Sequence, residues 1–569
     1  MSMDSISLLQ RARYDFQPKI PEVLTKDAAT IQLENSSLSL PPRDEQKIRE
    51  YYRETIGKPA VVFADGSNPA AGRKRRCGVL LSGGQAPGGH NVIAGLFDGL
   101  QAANAESELI GFHGGAGGLL KCDYEILTKE KVDFHRNTGG FDIIGSGRTK
   151  IETDAQIEAT IQTVKKLELD SLVIVGGDDS NTNAALLAEV FAQRKLPMQV
   201  IGVPKTIDGD LKNDHIETSF GFDTSTKVYA SLIGDLARDT KSSGKYWNFV
   251  KLMGRSASHI ALECALQIHP NICLIGEEIK AKNMSLKRIL YDICQIIAHR
   301  AEHGENFGVI LIPEGIVEFI PETANLIAEL NRNWKEYEHV FTALTTLELK
   351  KKWLYTKLSP EAYHTLDQLP AELAEQFLGL RDPHGNILVS QIEIEKLFIT
   401  MIRDYLEGMT GAGTYKGSFA PLAEFYGYEG RSAFPSNFDA TYCYALGKTA
   451  FLLIANAANG YLACIKDLAL PSEQWKAGGV PLTMMMDMEE RKGEWVPVIA
   501  KSLVDLNGAA FNEFARNRDK WALETCYMHP GPVQYFGPDE LCNRITETLR
   551  LESEEKRRFE AWANIATKR

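Results

Sequence analysis

Short apolar runs that end in glycine-rich or acidic turns recur along the first half of the chain. They occupy residues 77–81, 172–175 and 199–203. Uninterrupted apolar runs of this length are typical of strands that are buried on both faces of a sheet. Amphipathic, helix-like segments follow two of these runs, at residues 91–103 and 181–194. The alternation predicts an α/β fold with a mostly parallel sheet covered by helices on both faces.

The pattern changes between residues 321 and 414, where strand candidates become few. Leu, Glu, Lys and Ala dominate residues 326–337, 340–352, 360–380 and 391–408. These residue types have high helix propensity. We therefore predict a helical insertion over residues 321–414.

The longest apolar-leaning stretch of the chain is residues 444–465. It contains Lys448, Asn456, Asn459 and Gly460, and the charged and amide side chains among them are costly in a lipid bilayer. The pattern favours a buried helix, and a membrane span is the alternative interpretation.

Composition and charge narrow the class of function. The net charge of −12 argues against nucleic acid or an anionic membrane as the main partner. An anionic substrate must then be bound by a local group of Lys and Arg side chains. The nine cysteines lack paired metal-binding spacings, so core thiols in a reducing compartment are expected. The first seven residues lack the basic and apolar regions of a signal peptide, which favours a cytoplasmic location.

Two motifs just past predicted strands carry most of the candidate chemistry. Residues 176–181 read GGDDSN and residues 204–210 read PKTIDGD. They place four carboxylates and one lysine in loops at strand ends, where open α/β sheets bind their ligands. Backbone N–H groups of glycine turns hold phosphate, and carboxylates hold a hard cation such as Mg²⁺. The motifs predict a site for a phosphate compound with Mg²⁺.

Three further segments occur in order with these motifs: SGGQAPGGHN at residues 82–91, MGR at 253–255 and GYEGR at 427–431. The five segments together resemble the signatures of the long-form pyrophosphate-dependent phosphofructokinases. The resemblance extends from about residue 77 to the PGP sequence at residues 530–532. Five ordered motifs over this span are specific, whereas any one of them alone is not.

This resemblance implies two α/β domains of the phosphofructokinase type, each an αβα sandwich with a mostly parallel sheet. The expected parts are an N-terminal extension (1–75), a domain that binds pyrophosphate and Mg²⁺ (76–250), a domain that binds fructose 6-phosphate (251–320 and 415–530), the helical insertion (321–414) and a C-terminal helical tail (531–569).

The implied activity is Mg²⁺-dependent, reversible transfer of a phosphoryl group from pyrophosphate to fructose 6-phosphate. The products are fructose 1,6-bisphosphate and phosphate, in glycolysis and gluconeogenesis. Lys245 and Tyr246 match positions that reach into the sugar site of a neighbouring subunit in the family. The resemblance therefore implies at least a homodimer, and the net charge argues against nucleic acid or a membrane as partner.

On the donor side, the resemblance assigns roles to five residues. Gly83 and Arg148 would contact pyrophosphate, with a plain turn and a surface arginine as alternatives. Asp178 would bind Mg²⁺. Asp179 and Lys205 stand where ATP-dependent relatives carry glycine. The carboxylate would exclude the α-phosphate of ATP, and the ammonium would neutralise the departing charge. An ordinary loop ion pair is the alternative for these two residues.

Asp208 is the expected proton acceptor for the C1 hydroxyl of the sugar, in a reaction that depends mainly on positioning and charge neutralisation. Arg255 would bridge the transferring group and the sugar phosphate, and Arg431 would grip the 6-phosphate through its planar guanidinium. The expected catalytic set is Asp208, Asp179, Lys205 and Arg255. The residues expected to bind fructose 6-phosphate are Thr206, Ile207, Asp208, Lys245, Tyr246, Met253, Gly254, Arg255, Glu314, Tyr428, Glu429, Gly430 and Arg431.

Three other functions are weighed against this one. An ATP-dependent phosphofructokinase is disfavoured by Asp179 and Lys205. A non-catalytic regulatory subunit would show damage at the catalytic positions, but Asp208 and Arg255 are present. A lipid or NAD kinase that shares only the GGD turn would leave the other motifs unexplained.

Overall fold

Strands recur along most of the chain in the computed structural model. The structure describes residues 6–36, 42–379, 381, 385–491 and 494–566. Its strands are β1 (Ile31–Asn35), β2 (Val61–Asp65), β3 (Arg76–Leu81), β4 (Glu108–Phe112), β5 (Tyr124–Ile126), β6 (Ser171–Gly176), β7 (Gln199–Thr206), β8 (Phe220–Gly221), β9 (Tyr246–Leu252), β10 (Ile272–Cys273), β11 (Phe307–Pro313), β12 (Pro421–Tyr426), β13 (Tyr461–Lys466), β14 (Lys476–Pro481), β15 (Met486–Arg491) and β16 (Glu494–Ile499).

Helices fill most of the sequence between these strands. They are α1 (Leu8–Arg13), α2 (Glu45–Tyr51), α3 (Gly89–Ala103), α4 (Ala116–Lys121), α5 (Lys129–His135), α6 (Asp154–Lys166), α7 (Asp178–Gln193), α8 (Phe222–Ser243), α9 (His259–Ile268), α10 (Gly276–Ala281), α11 (Leu286–Glu302), α12 (Pro321–Ala343), α13 (Leu347–Leu354), α14 (Pro360–Gln368), α15 (Ala371–Phe377), α16 (Ile394–Gly411), α17 (Tyr428–Arg431), α18 (Asn437–Ala455), α19 (Ala509–Leu523), α20 (Asp539–Cys542) and α21 (Glu547–Ala566).

Some predictions fall on residues that the structure does not describe. Residues 1–5 belong to the segment that lacks signal-peptide features, and residues 567–569 belong to the predicted tail. Residues 380 and 382–384 belong to the predicted insertion. All of these lie outside the described residues.

Backbone contacts group the described residues into two units. Unit 1 is drawn from Met1–Val228, Tyr428–Ser502 and Val533–Arg550, and unit 2 from Tyr229–Gly427, Leu503–Pro532 and Leu551–Arg569.

Unit 1 contains a ten-stranded sheet. Its order is β1-β2-β14-β13-β7-β6-β3-β4-β5, and β8 pairs with β7. The central strands β4, β3, β6, β7 and β13 are parallel, and antiparallel pairs extend both ends. Every residue of β6 is buried, as its continuous apolar run predicts. The predicted α/β class with a mostly parallel sheet is thus confirmed.

Helices α3 and α18 of unit 1 pack closely against each other. Gly95 and Gly447 make this approach possible, because a Cβ atom on either would collide with the facing backbone. The Cβ would lie 2.2 Å from the carbonyl oxygen of Tyr444 at Gly95, and 2.1 Å from that of Val92 at Gly447. The start of α18 is thereby held near the loop that precedes α3.

Unit 2 contains a four-stranded parallel sheet in the order β10-β11-β9-β12. Helices α12 to α16 occupy most of residues 321–411, so the helical character of the predicted insertion is confirmed. Leu330 and Ile402 of this stretch share one buried core with Phe249 of β9 and Ile293 of α11. The insertion therefore extends the hydrophobic core of unit 2.

Two boundaries differ from the prediction in a way that affects the chemistry. Helix α7 begins at Asp178, directly after Gly177 as its N-cap residue, so Asp178 and Asp179 lie in its first turn. Strand β7 continues through Lys205 to Thr206. The expectation that all these charged residues lie in loops is therefore wrong. For the two aspartates, the reason is that only Gly177 separates β6 from α7. For Lys205, it is that β7 is extended by pairing with β8.

The apolar stretch 444–465 is also divided differently from the prediction. Helix α18 ends at Ala455, and β13 begins at Tyr461 after a short turn. The buried helix thus covers only the first part of the stretch. Among the described residues, none of the helices combines the length and the apolar character needed to cross a membrane.

The boundaries of the two units differ from those of the predicted domains. Residues 428–502 group with unit 1, whereas the prediction joins 415–530 to 251–320. The reason is that β13 pairs in parallel with β7 and that β14 continues the same sheet. The assignment of a donor domain and a sugar domain stays a prediction.

Candidate active site

Three neighbouring parallel strands of unit 1 end at the same edge of the sheet. Strands β3, β6 and β7 are paired side by side. The glycine turn at Gly83 follows β3, the start of α7 follows β6, and Asp208 lies two residues beyond β7. Ligands of open α/β sheets bind at such carboxyl ends. The sheet therefore brings the predicted donor-side motifs together.

The turn after β3 is fixed by contacts with two other segments. Gly83 has a φ of +84° and donates its N–H to the carbonyl oxygen of Gly147 at 2.9 Å. The Nζ of Lys205 donates to the carbonyl oxygen of Gly84 at 2.8 Å. Arg148 follows Gly147 directly and is exposed. The predicted pyrophosphate contacts thus adjoin one another in the fold.

The first turn of α7 carries two carboxylates that each face a lysine. The Nζ of Lys150 lies 2.9 Å from Oδ2 of Asp179, and the Nζ of Lys501 lies 3.7 Å from Oδ2 of Asp178. Acidic residues are stabilised at a helix N-terminus by its exposed N–H groups. Sequence reasoning missed both lysines. Lys150 lies two residues after Arg148 and could have been found from that motif, whereas no local signal marks Lys501.

Lys205 is the most buried charged group of this region. Burial lowers the pKa of Lys205 to about 8, although the carboxylates of Asp208, Asp210 and Asp178 act in the opposite direction. These three carboxylates therefore lie close enough to interact electrostatically with the ammonium group. A compact cation among carboxylates can compensate charge on a bound phosphate group.

The segment after β7 places Asp208 in a partly exposed position. The backbone N–H of Asp208 donates to Oγ1 of Thr206 at 3.0 Å. Ile207 and Asp210 are buried on either side of it. The carbonyl oxygen of Asp210 accepts a hydrogen bond from the N–H of Ser502 at 2.6 Å. The turn is thus held at both ends while the Asp208 side chain retains access to solvent.

Residues 428–431 form the short helix α17 of unit 1. The guanidinium carbon of Arg431 lies 4.7 Å from the ring centre of Tyr428. Its Nε is buried and has no hydrogen-bond partner within the described residues. A Cβ atom on Gly84 would lie 3.9 Å from Nη1 of Arg431. Arg431 therefore approaches the donor-side glycine turn, while Tyr428 and Glu429 are exposed and Gly430 is buried.

The remaining predicted sugar-binding residues belong to unit 2. Met253 follows β9, and the N–H of Gly254 donates to Oε2 of the buried Glu314 at 3.0 Å. A Cβ atom on Gly315 would lie 1.8 Å from the carbonyl oxygen of Arg255, so only glycine fits there. The structure thus brings the MGR motif and Glu314 together, and Arg255 is exposed beside them.

Lys245 and Tyr246 lie apart from that group. Tyr246 is the first residue of β9, whereas Met253 follows its last residue. At the usual rise of a strand, these ends are about 20 Å apart. The Nζ of Lys245 lies 5.5 Å from the ring centre of Tyr246. The two residues therefore do not join the MGR motif of their own chain.

A carboxylate of unit 1 suits the predicted Mg²⁺. Oδ2 of Asp178 is buried and accepts no hydrogen bond from the described residues. Mg²⁺ is commonly held by one or two carboxylates, with water and phosphate oxygens as its other ligands. In the described part of the chain, no group of three or more His, Cys, Asp or Glu side chains is arranged to hold a metal ion by itself. Asp178 fits a cation that is bound together with a phosphate compound.

A parallel sheet whose strand ends carry glycine turns, a helix N-terminus, carboxylates and a buried ammonium is typical of proteins that bind phosphate groups. Fold and site define an α/β protein of the phosphotransferase class. Residues 76–349 match the phosphofructokinase family.

Comparison with known proteins identifies the family over nearly the whole chain. The pyrophosphate–fructose 6-phosphate 1-phosphotransferase of Treponema pallidum is 52% identical over 557 residues, which cover 96% of this chain and 97% of that protein. The protein of the same name from Entamoeba histolytica is 48% identical, over 96% of this chain and 100% of that protein. The chain therefore belongs to the phosphofructokinase family.

Solved structures agree with this fold. A pyrophosphate-dependent phosphofructokinase from Nitrosospira multiformis superposes with a TM-score of 0.53 at 16% identity, over 83% of this chain and 96% of that chain. At this identity the likeness concerns the fold alone.

Proposed function

We propose that this protein transfers a phosphoryl group from pyrophosphate to fructose 6-phosphate, with Mg²⁺, and that the reaction is reversible. The observation that carries the proposal is the buried Lys205 ammonium, which contacts the Gly84 carbonyl oxygen and has Asp178 and Asp208 within electrostatic reach. Relatives about 50% identical over nearly their full length are named for this reaction. All nine cysteines are free thiols, as is usual in a reducing compartment, so we place the activity in the cytoplasm.

In the proposed reaction, Asp208 accepts the proton of the C1 hydroxyl as that oxygen attacks the terminal phosphorus of pyrophosphate. The bond from this phosphorus to the bridging oxygen breaks, and phosphate leaves beside Lys205. Bound Mg²⁺ would neutralise charge on the phosphate oxygens, held by Asp178. Phosphoryl transfer needs little covalent chemistry from the protein, so positioned charges and one proton acceptor suffice.

Donor choice would depend on Asp179 and Lys205. Asp179 lies in the first turn of α7, where its charge opposes an additional phosphate group. Lys205 would compensate the charge of the departing phosphate. Gly83 and Arg148 would contact pyrophosphate, and Arg255, Arg431 and the other predicted residues would bind the sugar phosphate. A backbone turn, a guanidinium and an ammonium together suit an acceptor and a donor that are both anionic.

Initial rates with fructose 6-phosphate and Mg²⁺ test the proposal when pyrophosphate is compared with ATP. Turnover with pyrophosphate and none with ATP is the expected result. Turnover with ATP would contradict the proposed exclusion of ATP by Asp179 and Lys205, but it would not contradict the fold or the role of Asp208 as base. No turnover with either donor would overturn the proposal in favour of a non-catalytic regulatory subunit.

We further propose that the active form is a homodimer or larger homo-oligomer. Lys245 and Tyr246 lie about 20 Å along β9 from the MGR motif of their own chain, which suits a role in a partner's site. In a symmetric dimer, each subunit would supply these residues to the other.

Complementation between two inactive variants tests this arrangement. Asp208→Asn lacks the base, and a double variant, Lys245→Ala with Tyr246→Ala, lacks the donated residues. Mixed dimers would hold one complete site, so co-expression should restore up to about a quarter of the wild-type activity. Each variant expressed alone is the control. No recovery in mixed dimers, or a fully active monomer, would contradict the arrangement.

A further inference from the structure

A buried pair of carboxylates in unit 1, Asp223 and Asp439, has no role in the proposed reaction. Both side chains are almost completely shielded from solvent. Burial, followed by the charge of Asp223, raises the pKa of Asp439. Two neighbouring buried carboxylates are costly in free energy. Hydrogen bonds to the carboxylate oxygens offset part of this cost.

Asp439 holds the segment that contains β8. Its Oδ1 accepts a hydrogen bond from the N–H of Gly221 at 3.0 Å, and its Oδ2 accepts one from the N–H of Thr224 at 2.9 Å. The hydroxyl of Thr224 also donates to Oδ2. Tyr442, one turn further along α18, donates its hydroxyl to the carbonyl oxygen of Thr218 at 2.8 Å. The first turns of α18 therefore anchor residues 218–224.

Strand β8 in turn lies against the end of β7. Phe220 pairs with Lys205 and Gly221 pairs with Thr206 in parallel register. The hydroxyl of Ser219 donates to the carbonyl oxygen of Thr206 at 3.2 Å. Asp208 comes two residues after this pairing, and its N–H is bonded to Thr206. A continuous series of hydrogen bonds thus joins β8 to the end of β7 and to the turn that carries Asp208.

Asp223 makes a different set of contacts. Its Oδ2 accepts hydrogen bonds from the hydroxyl of Ser436 at 2.6 Å and from Nζ of Lys227 at 2.7 Å. These partners lie on α8 and at the N-cap of α18. The Asp223 side chain thus accepts hydrogen bonds from α8 and the N-cap of α18, whereas the Asp439 side chain accepts them from Gly221 and Thr224. Asp223 is therefore a matched comparison for Asp439.

We propose that Asp439 is a positioning residue, which holds β8 against Lys205 and Thr206 and thereby fixes the Asp208 carboxylate for proton transfer. The kinetic part of this proposal rests on the proposed role of Asp208. The structural part, that Asp439 holds β8 and the turn that carries Asp208 in place, can be tested without measuring activity.

Asp439→Asn tests the proposal with Asp223→Asn as the matched control. Asn cannot accept hydrogen bonds with both of its terminal atoms, so Asp439→Asn loses the bond from Gly221 or that from Thr224. We expect kcat to fall by about 10-fold to 100-fold, since small misplacements of a reacting group cost this much. The KM values for pyrophosphate and fructose 6-phosphate should stay within about two-fold, and Asp223→Asn should keep its kcat within about three-fold.

Hydrogen–deuterium exchange provides the readout that does not need activity. The N–H groups of residues 206–208 and of Gly221 should exchange faster in Asp439→Asn than in Asp223→Asn or the wild type. Equal exchange in the two variants would overturn the proposal, as would equal losses of kcat. If the wild type shows no turnover, the proposed function fails, and the exchange comparison still decides the structural part.

A second pair of variants serves if Asp439→Asn does not fold. Ser219 directly precedes β8, and Ser219→Ala removes the hydrogen bond from its hydroxyl to the carbonyl oxygen of Thr206. Ser225→Ala is its matched control, because that buried hydroxyl has no hydrogen-bond partner among the described residues. We expect a loss of kcat of about three-fold or more, and faster exchange at residues 206–208, for Ser219→Ala only. The same behaviour in both variants would contradict the proposal.

Discussion

At the scale of single residues, burial makes the charge of Lys205 sensitive to pH, although the neighbouring carboxylates oppose this effect. Its pKa is lowered to about 8, mainly by burial. Above that pH the free enzyme loses the ammonium charge, so kcat/KM for pyrophosphate should fall as pH rises past about 8. Lys205→Met should remove this decline and lower kcat/KM at neutral pH. Lys205→Arg should shift the decline to higher pH, and an unchanged profile in both variants would refute the assignment.

Asp208 can be tested by removing its carboxylate. Asp208→Ala should reduce kcat by about 10²-fold to 10⁴-fold, the usual contribution of a general base. Binding of fructose 6-phosphate, measured by calorimetry, should change by no more than about two-fold. Asp208→Asn keeps the side-chain shape, so a similar loss there assigns the effect to the carboxylate. Near-normal turnover in either variant would contradict the role as base.

Asp179 is the residue on which donor selection is expected to depend. Asp179→Gly should lower kcat/KM for pyrophosphate by about 10-fold and admit measurable turnover with ATP, because steric and charge exclusion are both removed. Lys150→Met removes the ion pair with Asp179 but keeps the carboxylate, so this variant should still reject ATP. Initial rates with both donors measure the effect. An unaltered donor preference in Asp179→Gly would eliminate the exclusion argument.

At the scale of elements, the N-terminal helix α1 anchors the beginning of α18. The Arg13 guanidinium is fully buried and donates to Oδ1 of Asn437 at 2.6 Å and to the carbonyl oxygen of Pro435 at 3.0 Å. It also lies 4.6 Å from the ring centre of Phe16 and 4.7 Å from that of Tyr535. The extension is therefore part of the structural support of unit 1.

Arg13→Met tests this anchoring role. It removes two charged hydrogen bonds and should lower the free energy of unfolding by about 2–4 kcal/mol. Arg11→Met changes an exposed arginine on the same helix and should have an effect below about 0.5 kcal/mol. Urea unfolding followed by circular dichroism measures both. Equal effects of the two changes would show that α1 does not act through Arg13.

Secondary structure was predictable where the pattern is local. The apolar runs of β3, β6 and β7 were found because strands buried on both faces have a continuous hydrophobic signature. Strand β8 has only two residues, too few for any periodicity. Helix α7 begins at Asp178, three residues before its predicted start at residue 181. The difference arises because Asp and Ser are favourable both in a turn and in the first turn of a helix.

At the scale of the whole molecule, the buried Asp439 should make stability depend on pH. A carboxyl group whose pKa is raised in the folded state retains a proton that the unfolded chain releases above about pH 4. The folded state then binds more protons, so the free energy of unfolding decreases as pH rises from about 4 towards neutrality. Asp439→Asn should reduce this slope. Urea unfolding at several pH values measures it, and an identical slope in the variant would contradict the shift.

Glycine turns and hydrophobic periodicity are local properties, so the α/β class, the strand ends that carry the motifs and the family resemblance could be predicted from the sequence. The three-dimensional structure was needed to show that β13 joins the sheet beside β7, that Lys501 faces Asp178 and that Asp439 holds Gly221. These contacts join residues far apart in the chain, and neither partner carries a local pattern that points to the other. These contacts depend on how the strands and helices pack against one another, and residue spacing and composition do not specify that packing.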